Sequence, residues 1–302
     1  MLQQTRVAAV LEHYARFLQR FPSVQSLAAA REASVLALWS GLGYYHRARR
    51  MHQTAKVIVR DFGGVFPRSF EQWMQLPGIG RYTAAAIASI AFDEPVAVLD
   101  GNVERVLQRL SGDEFSRETA WSRAQTLLDR KRPGDFNQAM MELGATLCTP
   151  RAPQCLVCPV QSCCETRGVE GQRPQPARKN REMCYALARR GDSVLLVQRS
   201  AEASLMAGMW ELPVLAAEEV NGNELLLRVR HSITDTNYRV SVFVVSAEVL
   251  EKDTPPARWY TCKQWKRLPL TGLTRKILRQ VVSESKKRSA LSKRGCGSGM
   301  CP

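Results

Sequence analysis

Long apolar runs are absent from this 302-residue sequence. No stretch approaches the roughly 18 consecutive apolar residues that predict a membrane helix, so no membrane association is expected. The opening residues, MLQQTRVAAVLEHY, lack a basic segment followed by an apolar core, so we expect no secretory signal there. These absences predict a cytoplasmic protein, associated with the nucleoid if its source is bacterial.

Acidic residues are scarce relative to basic ones. The chain has 28 Asp and Glu against 43 Lys and Arg, for a net charge of +15. Such an excess favours a polyanionic partner, since neutralised phosphates release counterions. A basic surface without a specific partner stays open as an alternative, because net charge bears on association and not on fold.

Strand-like alternation is scarce in the first half of the chain. VAAVLEHYARFL and YTAAAIASIAF place apolar residues at helical spacing, and FPSVQ, GGVFPRSF, LPGIG and KRPGDF predict turns between helices. The pattern predicts an all-α domain over residues 1–168, which includes a cysteine-rich loop over residues 148–164.

The composition changes after this loop. ETRGVEGQRPQPARKNR has almost no apolar residues and predicts a linker over residues 169–182. MCYALARR and SVLLVQRS flank Gly191-Asp192 and predict a β-hairpin, YRVSVFVV predicts another strand, and LTRKILRQVVSE predicts a closing helix. We therefore expect an α+β domain over 183–284 and a basic disordered tail over 285–302.

Cysteine is concentrated in one place, where five of the nine fall between Cys148 and Cys164. Four follow the spacing C-x6-C-x2-C-x5-C, and thiolates are preferred ligands of zinc and of iron–sulfur clusters. Zinc stays open, although zinc ribbons usually pair two short C-x2–4-C knuckles and this loop has one. Cys163 falls outside the pattern and is assigned to packing. The candidate metal ligands are Cys148, Cys155, Cys158 and Cys164.

Two glycines interrupt the helical pattern in Leu76-Pro-Gly78-Ile-Gly80-Arg-Tyr-Thr83. Glycine lets backbone N–H groups approach a ligand, and the start of the following helix carries partial positive charge. These features predict a phosphate-binding hairpin that ignores base sequence. An ordinary helical hairpin with a glycine turn is the alternative.

Asp100 lies about twenty residues downstream, at the end of the apolar segment Val96–Leu99. A solvated aspartate is the ordinary interpretation of an isolated carboxylate in such a position. Near a phosphate-binding hairpin, however, a fixed anion could stabilise the oxocarbenium ion through which glycosidic bonds break.

Six segments carry a resemblance that covers nearly the whole chain: MLQQT, WSGLGYYHRARRMH, LPGIGRYTAAAI, VLDGNVERVLQR, FNQAMMELGATLC and the cysteine loop. In order and spacing the sequence resembles the MutY-type adenine DNA glycosylases, relatives of endonuclease III. The resemblance implies an all-α helix–hairpin–helix glycosylase domain with a 4Fe–4S cluster, followed by a Nudix-like α+β domain. It also implies a monomer that acts on double-stranded DNA with adenine opposite 8-oxoguanine or guanine.

The resemblance assigns catalytic roles to three residues. Asp100 matches the aspartate that stabilises or traps the sugar cation, while Asn102 and Tyr82 match residues that position the aspartate and the sugar. Endonuclease III-like relatives have a lysine at the position of Tyr82, and its amine forms a Schiff base. Tyrosine cannot do so, which implies base excision without strong strand cutting.

The resemblance also assigns contacts to DNA. Gln138 matches a position that touches the flipped adenine, and Gln4, Thr5 and Tyr44 match residues that occupy the opened duplex around the oxidised guanine. Core aromatics stay open as the alternative for Tyr44 and its neighbour Tyr45.

The second domain departs from the family pattern. EASLMAGMWELP and LPLTGLTRKIL resemble the MutY C-terminal domain, but no glutamate cluster for Nudix magnesium binding is present, so we expect recognition without hydrolysis. The family reads 8-oxoguanine with a loop of roughly H-x-F-S-H character, where this chain has His231-Ser-Ile-Thr-Asp235. Thr234 could replace the serine, whereas Ile233 and Asp235 replace the aromatic and the histidine. Preference for oxidised guanine is therefore expected to be less strict.

The family's general acid is a glutamate two residues before the methionine of MLQQT, which is Met1 here. It protonates the leaving base. We expect that Met1 is an internal methionine of a longer natural protein, and that residues 1–302 alone release adenine very slowly. A non-catalytic mispair-binding protein is one alternative. Endonuclease III-like cutting at oxidised pyrimidines is another, against which Tyr82 and the second domain argue.

Overall fold

The computed structural model of the protein describes residues 1, 5, 7–167, 178–203, 205–220, 222–233, 235–250 and 257–294. The chain forms two compact units, one of Met1–His52 with Pro176–Pro302 and the other of Gln53–Gln175. The predicted helical domain, 1–168, therefore contributes to both units. Sequence periodicity reports local structure, so it carries no sign of the long-range contacts that draw the first 52 residues to the C-terminal fold.

The predicted all-α character holds for residues 7–167, where the described chain contains helices and no strand. Ser23 and Ser69 start two of these helices in reciprocal capping boxes with Ser26 and Gln72, and Pro133 opens another. The helices are α1 (Val7–Arg20), α2 (Val24–Ala28), α3 (Glu32–Trp39), α4 (Tyr45–Asp61), α5 (Phe70–Met74), α6 (Arg81–Phe92), α7 (Gly101–Ser111), α8 (Arg117–Leu127) and α9 (Pro133–Thr146).

The C-terminal part is α+β, as predicted, and contains two four-stranded sheets. Its elements are β1 (Lys179–Leu187), β2 (Arg189–Arg190), β3 (Ser193–Gln198), β4 (Trp210–Glu211), β5 (Val214–Leu215), β6 (Glu224–Ile233), β7 (Thr236–Val244), α10 (Ala247–Leu250), β8 (Ala257–Thr261), α11 (Cys262–Trp265) and α12 (Gly272–Arg294). One sheet has the order β5-β1-β7-β6, with β1 and β7 parallel, and the other joins β2, β3, β4 and β8.

The predicted hairpin around Gly191-Asp192 joins β2 to β3, with Gly191 at φ 60°. The chain differs from the sequence prediction at both ends of the C-terminal domain. Strand β1 begins at Lys179, inside the predicted linker of 169–182, because its first four residues are exposed and polar and so resemble a linker in composition. Helix α12 continues to Arg294, well into the predicted tail of 285–302, and residues 285–294 contain no glycine or proline that would disfavour a helix.

Apolar cores support these elements in both units. In the Gln53–Gln175 unit, α7, α8 and the segment before α7 pack around Leu99, Val103, Leu107 and Trp121. In the C-terminal domain, α12 packs on the first sheet through Ile277, whose side chain belongs to a core that β1, β3, β6 and β7 share. Among the described residues, no helix is long and apolar enough to cross a membrane.

Candidate functional site

The predicted hairpin lies between α5 and α6. Gly78 has φ 79°, a left-handed conformation that favours glycine. Thr54 Oγ1 fixes the turn by donating to the Pro77 carbonyl at 2.8 Å. Gly80 is the N-cap of α6 and provides no side-chain cap, and a Cβ built there would meet no atom within 4 Å. The start of α6 thus lacks a side chain at residue 80, and a helix N-terminus of this kind favours an anion such as a DNA phosphate.

Asp100 is the N-cap of α7. Its Oδ1 accepts hydrogen bonds from the backbone N–H groups of Asn102 and Val103, both at 2.8 Å. Its Oδ2 accepts one longer bond, 3.4 Å, from the Asn102 side-chain amide. One carboxylate oxygen thus caps the helix and fixes the orientation of the other, and the helix start favours the negative charge.

Asn102 is itself held by a residue that the sequence prediction missed. Arg105 donates from its guanidinium to Asn102 Oδ1 at 3.0 Å, to the Gly144 carbonyl at 2.6 Å and to the Cys148 carbonyl at 2.9 Å. One side chain therefore joins the first turn of α7 to the end of α9 and to the cysteine loop. The spacing of three residues from Asn102, which places both side chains on one helix face, was the available signal.

Tyr82 lies in the first turn of α6, and its hydroxyl donates to the Met141 sulfur at 3.4 Å. Burial, and then the Asp100 carboxylate, raise the pKa of this phenol above its ordinary value. The Tyr82 phenol therefore stays neutral at physiological pH.

Gly144 lets α9 approach α7 closely. A Cβ at this position would lie 2.7 Å from the Asn102 Cβ and 3.0 Å from the Asn102 carbonyl oxygen. Those atoms belong to a helix backbone and to its adjacent Cβ, so they cannot yield as a flexible side chain would. Glycine at 144 is therefore a packing requirement of the turn that begins at Asp100.

Gly144→Ala is expected to lower the free energy of unfolding by about 1–3 kcal/mol, because overpacking forces the two helices apart. Gly101→Ala is the matched control, since a Cβ there would meet nothing within 4 Å. Chemical denaturation of both variants checks this. Equal stability of the Gly144 variant and wild type would show that the contact relaxes without cost.

Gln138 lies on α9, is exposed, and donates to the Gly134 carbonyl at 3.2 Å. Its neighbour Asn137 is buried and was not singled out in the sequence. The Asn137 side chain accepts from the Val98 N–H at 3.0 Å and donates to Ser89 Oγ and the Val96 carbonyl, both at 2.9 Å. Asn137 thus ties α9, the helix that carries Gln138, to the segment that leads into Asp100.

The four predicted cysteine ligands line one cavity. Short 3-10 turns at Cys155–Val157 and Gln161–Cys163 shape the loop. Cys163 does not line the cavity and is exposed, so its assignment to packing was wrong. Cys164, the next residue, is half-buried and lines the cavity.

The chemistry of this cavity suits a cluster held by thiolates. Buried Arg109, which is 3% exposed, donates to Cys148 Sγ at 3.3 Å and to the Thr149 carbonyl at 2.8 Å. Such a cation offsets the negative charge that thiolate ligation concentrates. Among the described residues, no three or more Cys, His, Asp or Glu side chains are arranged to hold a metal ion.

The two tyrosines of the GLGYY segment differ in how far they are exposed to solvent. Tyr45 is 5% exposed and belongs to the core, whereas Tyr44 is 39% exposed and has φ 47°. The guanidinium of Arg47 lies 5.3 Å from the centre of the Tyr44 ring and donates to Thr5 Oγ1 at 3.0 Å. Arg47, which the sequence prediction missed, thereby brings Thr5 and Tyr44 together. Gln4 lies outside the described residues.

The predicted base-reading loop, residues 231–235, is a loop only in part, because residues 231–233 form the end of β6 and Asp235 lies in the turn before β7. Ile233 ends β6 and is half-buried, Asp235 is exposed, and Thr234 lies outside the described residues. The Thr236 hydroxyl donates to Asp235 Oδ1 at 3.0 Å. Behind the loop, burial and then the charge of Lys276 lower the pKa of His231 below its ordinary value.

Comparison with known proteins first defines the class. Residues 1–127 match the family model of the HhH-GPD superfamily base excision DNA repair proteins, and residues 184–280 match the NUDIX domain model. The solved structure of a thermostable thymine-DNA glycosylase aligns with a TM-score of 0.52 at 28% identity, over 55% of this chain and 79% of that one. The protein is a helix–hairpin–helix DNA glycosylase with a Nudix-like C-terminal domain.

The most informative relatives are adenine DNA glycosylases. The one from Mus musculus is 35% identical over 381 residues, which cover 100% of this chain and 73% of the relative. The one from Homo sapiens is 52% identical over 174 residues, 55% of this chain and 32% of the relative. The chain belongs to the adenine DNA glycosylase family, whose enzymes bind DNA and act on adenine in base-excision repair.

Proposed function

We propose that the protein removes adenine mispaired with 8-oxoguanine or guanine by hydrolysing its N-glycosidic bond after the base is flipped out of the duplex. The observation that carries the proposal is the arrangement at the start of α7. There a carboxylate is fixed by two backbone N–H groups and an amide, and its charge helps to raise the pKa of the half-buried Tyr82 phenol. Its Oδ2 is left with one long hydrogen bond, 3.4 Å, and can face a cation.

Asp100 would act on the sugar. Positive charge develops at the anomeric carbon as the base leaves, and a carboxylate of fixed orientation stabilises it without reorganisation in the transition state. Asn102 orients Asp100, and Tyr82 offers a neutral hydroxyl with no amine for Schiff-base formation. The proposed reaction therefore ends with base release and leaves the strand intact.

The N-terminus of α6 would hold a phosphate of the substrate strand. Gly78 supplies the left-handed turn and Gly80 leaves the approach free of side-chain atoms. Phosphate contacts of this kind fix the register of the protein on DNA and carry no base information. We assign recognition of the mispair instead to Gln138 on the adenine side and to Thr5, Tyr44 and the β6–β7 loop on the guanine side.

We also propose that Cys148, Cys155, Cys158 and Cys164 hold a 4Fe–4S cluster. Their shared cavity and the nearby Arg109 guanidinium support this assignment. When bound, such a cluster would cross-link the loop and stabilise its fold. Arg105 and Arg109 would then tie the loop to α7, the helix that presents Asp100.

Binding to a set of duplexes tests the mispair assignment. The protein is expected to bind A:8-oxoG and A:G duplexes at least about tenfold more tightly than A:T, a difference of about 1.4 kcal/mol. Ile233 and Asp235 replace an aromatic residue and a histidine of the family's base-reading loop. We therefore expect the affinities for the A:8-oxoG and A:G duplexes to differ less than they would with the family's usual loop. Affinity should fall steeply with salt, since phosphate contacts release counterions.

Fluorescence anisotropy at several fixed salt concentrations provides the measurement, with C:8-oxoG as a further duplex. Equal affinity for the A:8-oxoG, A:G and A:T duplexes would contradict the proposal. Preference for C:8-oxoG over A:8-oxoG would show that the lesion is read but the adenine is not.

A further inference from the structure

The chain just before the exposed Tyr44 is held in an unusual conformation. Gly41, Gly43 and Tyr44 all have left-handed φ values, of 113°, 72° and 47°. Glycine adopts this region freely, but tyrosine rarely does. A residue in a sparsely populated conformation persists when its surroundings determine it, and such residues often belong to functional sites. We call residues 40–45 the tyrosine turn.

The tyrosine turn is bound at both ends by one carbonyl of the C-terminal fold. The Leu270 carbonyl accepts from Ser40 Oγ at 2.7 Å and from the Tyr45 hydroxyl at 3.3 Å. The Tyr45 oxygen also accepts from the Gly41 N–H at 3.4 Å, which closes the turn. Leu270 is fully buried and pairs in a β-bridge with Trp210, so the carbonyl is an anchored acceptor.

Arg275, in the first turn of α12, completes this network. Its Nε donates to Ser40 Oγ at 2.8 Å, and its terminal nitrogen donates to the Leu268 carbonyl at 3.3 Å. Ser40 is 2% exposed, so its hydroxyl both donates and accepts within a buried network. The charged donor orients that hydroxyl and directs its hydrogen toward Leu270.

The same turn of α12 holds the β6–β7 hairpin. Lys276, the next residue, donates to the Arg230 carbonyl on β6 at 2.8 Å. A Cβ built at Gly272 would lie 3.9 Å from the Tyr45 hydroxyl oxygen and 4.0 Å from His231 Nε2. The start of α12 therefore contacts the tyrosine turn on one side and the hairpin on the other.

We propose that Arg275, acting through Ser40, is a positioning residue for mispair recognition that sets Tyr44 at a fixed offset from the β6–β7 hairpin. The inference rests on the proposed function, because it takes Tyr44 and the hairpin as elements that meet the guanine strand. If Tyr44 and the hairpin are already held in place, they lose less conformational freedom when DNA binds than two mobile elements would. The C-terminal domain thus contributes to recognition through the shape of the N-terminal turn as well as through its own loop.

Hydrogen exchange in the absence of DNA tests the positioning step. In Arg275→Met and in Ser40→Ala, amides of residues 41–45 are expected to exchange on the order of tenfold faster than in wild type. Exchange in β1 and β7 should stay unchanged. The double variant should show no more than the larger single effect, since both residues act through one hydrogen bond.

Binding tests the recognition step. The ratio of affinities for A:8-oxoG and A:T duplexes should fall on the order of tenfold in both variants. Arg279→Met is the matched control, because it removes an exposed arginine one turn further along α12 and should leave the ratio unchanged. Arg275→Lys keeps a charged donor and should restore most of the ratio.

Unchanged exchange at 41–45 together with an unchanged affinity ratio would overturn the inference, even if Arg275→Met lowered the melting temperature. Loss of affinity on all duplexes alike would also overturn it, as that pattern reports lost charge. Absence of any preference in wild type would instead sink the proposed function and the recognition role with it. Exchange would still decide whether Arg275 holds the turn.

Discussion

Replacement of Asp100 by asparagine is expected to lower the rate of adenine release by at least about 10²–10³-fold, the usual effect of removing one preorganised electrostatic contact. The carboxylate acts on a charge that develops in the transition state, so binding to the mispair should persist. Single-turnover release on an A:8-oxoG duplex measures the effect. The assay should use protein expressed from its full open reading frame, including any residues encoded upstream of Met1.

The hydrogen bonds of Asp100 make asparagine the informative substitution at this position. Asp100 Oδ1 caps α7 through the N–H groups of Asn102 and Val103, and asparagine keeps an oxygen that can do the same. The variant therefore removes the charge and preserves the helix start. Asp113→Asn is the matched control, since Asp113 is an exposed aspartate just beyond the same helix. Release at the wild-type rate by the Asp100 variant, with the control also unaffected, would remove Asp100 from the catalytic mechanism.

Much of this site could be predicted from the sequence because its parts are local. The hairpin glycines, the aspartate after an apolar segment and the cysteine spacing each lie within a short stretch, and each has a direct physical meaning. Gly78 has a left-handed conformation, which glycine adopts without the strain that other residues meet there. Asp100 ends the apolar segment because that segment is the buried entry to α7.

The arginines that connect these parts could not be predicted in the same way. Arg47, Arg105 and Arg109 occur among 43 basic residues, and apart from the three-residue spacing between Asn102 and Arg105 nothing in their immediate sequence separates them from the others. Their importance comes from burial and from partners about 40 residues away, such as Thr5, the Cys148 carbonyl and Cys148 Sγ. Such contacts depend on how helices pack, which periodicity does not report.

The tyrosine pair also shows, within a single segment, that contacts to distant residues could not be predicted from the local sequence. Tyr44 and Tyr45 are identical and adjacent, yet one is exposed and the other buried. The difference follows from the left-handed turn at Gly43 and Tyr44 and from the distant Leu270 carbonyl that accepts from Tyr45.

The ends of β1 and α12 were missed for a different reason, since exposed polar segments of strands and helices resemble linkers in composition.

Cys148→Ser is expected to remove the proposed cluster and sharply reduce the soluble yield. Wild-type protein purified without oxygen should be brown and contain about four iron atoms and four sulfides per chain. The variant should lose most of this iron, because serine is a poor ligand for a cluster held by soft thiolates. Metal and sulfide analysis, with visible absorbance, provides the measurement. The soluble yield should fall because loss of the cluster unfolds the loop, whose folding is coupled to cluster binding.

Cys163→Ser is the matched control for this experiment. Cys163 lies beside the ligand Cys164, yet it is exposed and does not line the cavity, so its replacement should leave iron and yield unchanged. Cys148 also meets α7 at two points, through its carbonyl to Arg105 and its thiol to Arg109. Loss of the cluster should therefore loosen the helix that presents Asp100 and slow adenine release in whatever protein stays soluble. Stoichiometric zinc without iron in the wild type, or equal loss of metal in both variants, would refute the assignment of these four cysteines to an iron–sulfur cluster.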